Sequence, residues 1–165
     1  MEVLVSANID GIIDDILKRE GGYVDNPADK GGRTNFGIAE ASHPEAWADG
    51  KVTEAEARAI YINKYVKGPK FDLIPDQNLV AQLVDFGVNS GPGVAIQKLQ
   101  TILGVTVDGV LGPETFKALE AADLKVINNK LTAERVKMIG RIVVRNKSQI
   151  VFLNGWLNRA LEFLV

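Results

Sequence analysis

An apolar helical stripe that ends on a carboxylic acid and is then cut off by two glycines constrains this chain more than any other feature. Ile9, Ile12, Ile13, Ile16 and Leu17 recur at the three-and-four spacing of one helix face, with Ser6 or Asn8 placed to cap its start. Glu20 is the next position on that face, four beyond Ile16 and three beyond Leu17. Gly21 and Gly22 follow, and glycine accepts the left-handed conformation that closes a helix. The helix therefore stops with Glu20 projecting toward the core side rather than into bulk water.

Residues 22–38 read as non-helical, with extended pieces around 22–24 and 35–38 flanking a turn-rich stretch from 25 to 33. Helical patterning then resumes. Thr53 and Glu56 form a capping box opening a helix to about 66, with Ala57, Ile60, Tyr61 and Tyr65 on one side. A helix over 78–88 follows, then Pro92 and Gly93, then one carrying Ala95, Ile96, Leu99, Ile102 and Leu103. Asp108 and Gly109 mark a turn, and Gly112 and Pro113 start a short helix. Two more helices are expected over 124–145 and 148–164. The second should bury Ile150, Leu153, Trp156, Leu157, Ala160, Leu161 and Leu164. The class is mainly α, with one small β-hairpin element after Glu20.

The chemistry concentrates near that element. A carboxyl group partly withdrawn from water holds its proton to higher pH, and a protonated acid is what a leaving glycosidic oxygen requires. Glu20, at the end of an apolar stripe, is the candidate. Asp29 lies nine residues on and Thr34 five beyond that. A carboxylate and a hydroxyl there can hold and deprotonate a water opposite the acid, the inverting arrangement. Glu40 follows closely enough to face the same cleft and is a rival second carboxylate. Tyr23 is a candidate to stack on a sugar ring, with Phe36 a weaker one. Tyr61 and Tyr65 share a helix face, as do Asp85 and Asn89, and both pairs are candidates for substrate contact or for bracing a helix junction.

Composition removes other classes. The 165 residues suffice for one good core or two small lobes, and 46% hydrophobic with 24% charged content is that of a globular protein. There is no cysteine, and His43 is the only histidine, so thiolate and histidine-rich metal sites are excluded; no metal or cofactor is implied. A net charge of −2 gives no electrostatic case for nucleic acid or an anionic membrane as partner. No stretch reaches the roughly 18–20 apolar residues of a membrane span. The first residues lack the basic and apolar regions of a signal peptide, so a cytoplasmic chain is expected, needing something else to let it cross the membrane.

The run Glu20, Gly21, Gly22, Tyr23, Pro27, Asp29, Gly31, Gly32, Thr34, Gly37 and Ile38 resembles the signature of the glycoside hydrolase family 108 muramidases, which include phage endolysins. The resemblance implies a lysozyme-like helical fold and makes Glu20 the catalytic acid. The order of Glu, a carboxylate nine later and a Thr is also similar to phage-type lysozymes, whose spacing to Thr is one residue longer. The likeness continues through Asp85, Asn89 and Gly91, and departs at Val66, where the family often has Trp. Gln100, Leu103, Gly104, Asp108, Gly109, Gly112, Pro113 and Thr115 resemble a peptidoglycan-binding helical motif. The close around Phe152, Gly155, Trp156 and Arg159 is similar to the end of the predicted peptidoglycan domain attached to this family.

The resemblance implies a catalytic lobe over 1–88 and a helical peptidoglycan-binding-like lobe over 89–165, packed as one compact, monomeric unit. It implies bacterial peptidoglycan as substrate, hydrolysed at the N-acetylmuramic acid–N-acetylglucosamine β-1,4 bond. A phage endolysin released by a holin and a bacterial muramidase opening the wall for an export system both fit. Two rival activities stand beside it: a lytic transglycosylase using Glu20 alone, and a non-catalytic peptidoglycan-binding protein.

Overall fold

The computed structural model describes residues 7–25 and 32–165. Seven α-helices and one two-stranded hairpin are present among them, and the chain divides into two compact units, Asn8–Gly68 and Pro69–Val165.

In the first unit, α1 (Ile9–Glu20) is capped by Asn8, whose Oδ1 accepts the Gly11 N–H at 3.0 Å, and it buries Ile12, Ile13, Ile16 and Leu17 as the stripe requires. It packs against α2 (Glu54–Ile62). Arg58 of α2 reaches back to the Asp14 carboxylate and the Asp10 carbonyl, tying the two helices at their exposed edge. The Thr53–Glu56 capping box is formed as expected. The helix does not run to 66 as one α-helix, however. It widens after Ile62 into a π-helical turn, Asn63–Lys67, closed by Gly68 N–H to Asn63 O at 2.9 Å.

The β element is also tighter than expected. Residues 35–38 are not one extended piece but straddle a turn: β1 (Thr34–Asn35) pairs antiparallel with β2 (Ile38–Ala39), and Phe36 and Gly37 form the two-residue loop between them. Both have positive φ, 50° and 74°, the combination that suits the twist of a tight hairpin. Val24 bridges the other edge of β1, exchanging both backbone hydrogen bonds with Thr34 at 2.8 Å.

The second unit is built around α3 (Gln77–Ser90), which packs against α4 (Pro92–Leu103) and α6 (Leu124–Arg145) and buries Leu79, Val80, Leu83, Val84 and Phe86. α5 (Pro113–Glu120) lies against α4. The terminal segment differs from the expected single helix. It begins as a 3-10 helix, Lys147–Phe152, and becomes α7 only over Leu153–Leu161. Of the seven residues expected on its buried face only Ala160 is fully buried; Ile150, Leu161 and Leu164 are exposed. The stripe has the right period but too few facing residues to cover it. No described helix is long and apolar enough to cross a membrane.

Candidate active site

Glu20 is the last residue of α1 and is half-buried. Gly21 takes φ +79° and closes the helix, its N–H bonded to Leu17 O at 3.2 Å. The hairpin turn packs against Glu20. A Cβ placed on Gly37 would lie 2.5 Å from Tyr61 Oη, 3.0 Å from Glu20 Cβ and 3.1 Å from Glu20 Oε2. The turn backbone is thus seated directly on the acid and on the tyrosine, at a distance only glycine permits. Buried Tyr61 completes the arrangement by donating its hydroxyl to Phe36 O at 2.9 Å. That bond, worth about 1 kcal/mol net, offsets part of the roughly 1–2 kcal/mol that a left-handed Phe36 costs.

Thr34 stands at the start of β1, opposite Ala39 and bonded through its backbone to Val24. Asp29 lies outside the described residues, as do Pro27 and Gly31. Glu40 is held by Arg33, whose Nη2 and Nε donate to its two carboxylate oxygens at 2.6 and 2.9 Å. The hydrogen bonds from Arg33, with its charge, hold the Glu40 carboxyl below the usual glutamate range and push the Arg33 guanidinium up. A carboxylate so engaged is a weak base.

Arg33 also donates to Gly50 O at 3.3 Å and lies 4.9 Å from the ring of buried Trp47, whose Nε1–H donates to Ile38 O. Tyr23, 55% exposed, tilts toward the same indole with centroids 6.3 Å apart and donates to Asp25 at 3.3 Å. Tyr23, Arg33 and Trp47 therefore form one aromatic–cation cluster beside the hairpin. Tyr65, in the π-helical turn, lies 5.6 Å from the Tyr61 ring with Lys64 over its face.

Neither Arg33 nor Trp47 was singled out from the sequence. The signal was there for the arginine. With Thr34 opposite Ala39 and Asn35 opposite Ile38, the next facing pair outward is Arg33 and Glu40, an opposite-charge cross-strand pair. It becomes visible only once the turn is placed at Phe36 and Gly37.

Asp85 and Asn89 belong to the second unit. Asp85 is fully buried, its carboxylate 2.7 Å from Arg135 Nη2 and 2.9 Å from Arg159 Nε. Exposed Asn89 donates its amide to Asp85 O at 2.8 Å. The Arg135 guanidinium lies within 4.9 Å of the Phe86 ring centroid and 5.3 Å of that of Phe163. A cleft of about 140 Å³ opens here, walled by Asn89, Ser90, Arg135 and Arg159 with Trp156 and Met138.

The polar residues of the second sequence pattern bond mainly to one another. Buried Gln100 donates Nε2–H to Asp108 Oδ1 (2.7 Å), Val110 O (3.0 Å) and Thr115 Oγ1 (3.2 Å), and accepts the N–H groups of Asp108 and Gly109. They knit the loop between α4 and α5, and the bond from Gln100 holds the Asp108 carboxyl below its usual range.

With this geometry in view, the chain matches the glycosyl hydrolase 108 family over residues 13–91 and the predicted peptidoglycan domain over residues 94–161. The solved structure of Brucella abortus SagA is similar, with a TM-score of 0.71 and 29% sequence identity, covering 94% of each chain. No curated protein matches the chain. The chain carries a glycosyl hydrolase 108 domain ahead of a predicted peptidoglycan domain. It is a glycoside hydrolase acting on peptidoglycan.

Proposed function

We propose that the chain is an N-acetylmuramidase, hydrolysing the β-1,4 bond between N-acetylmuramic acid and N-acetylglucosamine with Glu20 as general acid. The observation that carries this is the close packing of the Gly37 turn on Glu20, which sets a half-buried carboxyl beside the hairpin. An acid that must meet one glycosidic oxygen needs such a fixed position. Asp29, helped by Thr34, holds and deprotonates the attacking water. Glu40 is the poorer base because Arg33 engages both its oxygens, so its part is to position Arg33 over Trp47. Tyr23 and Tyr65 serve the sugar side while buried Tyr61 braces the hairpin turn, and Asn89 serves the substrate side of the helix junction that Asp85 braces. The chain accumulates in the cytoplasm as an endolysin and reaches the wall through a holin or an export system.

The test is digestion of purified peptidoglycan by wild type and by Glu20→Gln, with mass spectrometry of the released fragments and circular dichroism to show that both are folded. Reducing muramic acid ends from wild type, absent with the folded variant, are expected. Anhydro ends would replace hydrolysis by transglycosylation. Release that is equal in wild type and variant would remove Glu20 from the chemistry.

A further inference from the structure

The whole-chain charge of −2 conceals a strong segregation. From residue 135 to residue 161 the sequence contains Arg135, Lys137, Arg141, Arg145, Lys147 and Arg159 and no aspartate or glutamate. Arg135 and Arg159 are drawn inward to Asp85, and Lys137 pairs with Glu134 at 2.8 Å. Arg141, which also lies within electrostatic reach of Glu134, and Arg145 and Lys147 are exposed and lie along the last turns of α6 and the start of the 3-10 helix that follows.

The apolar residues interleaved with them are exposed too. Val144 is 79% exposed, Val151 75%, Ile150 60% and Phe152 52%. Such values mean that the side chains project from the elbow rather than line a groove. Scattered exposed apolar residues need no account, but a cluster of four within nine positions does. The elbow is firmly founded. α6, the 3-10 helix and α7 pack on one another, Asn146 Oδ1 accepts the Ser148 N–H and Oγ–H at 3.2 and 2.7 Å, and Phe152 stacks on Trp156 with centroids 5.5 Å apart.

We propose that this elbow, residues 141–152, is a docking site for an anionic bilayer surface. Val144, Ile150, Val151 and Phe152 enter the headgroup layer while Arg141, Arg145 and Lys147 lie against lipid phosphates. The charge pattern selects this occupant. A projecting apolar tip rimmed by cations and lacking acids matches a surface that is apolar within and uniformly negative at its face. Neither the identity of the cleaved bond nor the role of Glu20 enters this inference.

The full chain is mixed with vesicles of phosphatidylglycerol and phosphatidylethanolamine, or of phosphatidylcholine alone, and partitioning is read by co-sedimentation. Trp156, stacked on Phe152, supplies an emission shift, while Trp47 is buried. Anionic vesicles should bind at least tenfold more tightly than neutral ones, and the difference should shrink as salt shortens the screening length. Arg145→Glu/Lys147→Glu should weaken binding by roughly fivefold or more per site. Val144→Asp/Val151→Asp should abolish the emission shift, with the circular dichroism spectrum and hydrolysis of lipid-free peptidoglycan unchanged. Equal or absent binding to the two vesicle types, or unaltered binding by the valine variant, would overturn the proposal. Concentration-dependent dimerisation lost in the valine variant, without vesicle binding, would assign the surface to a second copy instead.

Discussion

The Asp85 carboxylate, fully buried on α3, is 2.7 Å from the Arg135 guanidinium of α6. Arg159 of α7 holds its other oxygen. The hydrolase family match ends at residue 91 and the predicted peptidoglycan domain begins at 94, yet these bonds join α3 to the helices beyond. α3 therefore belongs physically with α4, α6 and α7, in the unit Pro69–Val165. Removing one member of a buried pair leaves an uncompensated charge and costs about 3–5 kcal/mol. Asp85→Ala should lower unfolding free energy in urea by that order. Unaltered urea unfolding of that variant would show that α3 does not need its arginine partners.

A second prediction concerns Gly37. Its φ of +74° already penalises any side chain by about 1–2 kcal/mol, and a Cβ there would strike Tyr61 Oη and crowd Glu20. Gly37→Ala should therefore lose peptidoglycan hydrolysis out of proportion to its loss of thermal stability, because the displaced group is Glu20. Tyr61→Phe removes the atom only 2.5 Å from the new methyl. The alanine should then cost less in the Tyr61→Phe background than in wild type, a coupling that a double-mutant cycle measures. Strict additivity would mean that the turn is not seated on the tyrosine.

What could be read from the sequence divides along physical lines. Helix positions came through where an apolar period met a capping residue: α1 with Asn8 and Glu20, α2 with its capping box, and α6 over 124–145. The hairpin turn did not, because Phe36 is an uncommon residue at positive φ and the bond that supports it comes from Tyr61, twenty-five residues away. The last helix misled because period alone does not say whether a partner covers the stripe; Ile150, Leu161 and Leu164 face outward. The place of Glu20 at the end of its stripe was legible, but the packing of the Gly37 turn against it was not. Net charge, being a sum over the chain, does not reveal the acid-free stretch from 135 to 161.

The Arg33–Glu40 pair gives a pH dependence. Arg33 lowers the Glu40 carboxyl below the ordinary glutamate value of about 4.3 in the folded chain only. A lowered folded value means stability that is fully present above the unfolded value and lost as pH falls through the folded one. Calorimetry from pH 7 to pH 3 should show the wild-type melting temperature falling below about pH 4.3. Other lowered carboxyls, Asp108 and Glu56 among them, contribute to that fall. Glu40→Gln should start lower at pH 7 and fall less steeply. An identical acid slope in the variant would show that the bidentate pair does not persist in solution.

Gln100 and Asp108 are the positions at which a recognition motif and a folding motif can be told apart. Their side chains bond to each other at 2.7 Å, and Asp108 Oδ1 also accepts the Val110 N–H at 2.9 Å. Gln100 is buried. Leaving its partners without it should cost about 1–3 kcal/mol. Gln100→Leu should lower the melting temperature by several degrees while leaving retention on insoluble peptidoglycan unchanged at temperatures where the variant is fully folded. Asp108→Asn should do the same more mildly, since an amide oxygen still accepts both bonds. Retention lost in a variant that is still folded would place these side chains on the wall polymer rather than on the α4–α5 loop they hold together.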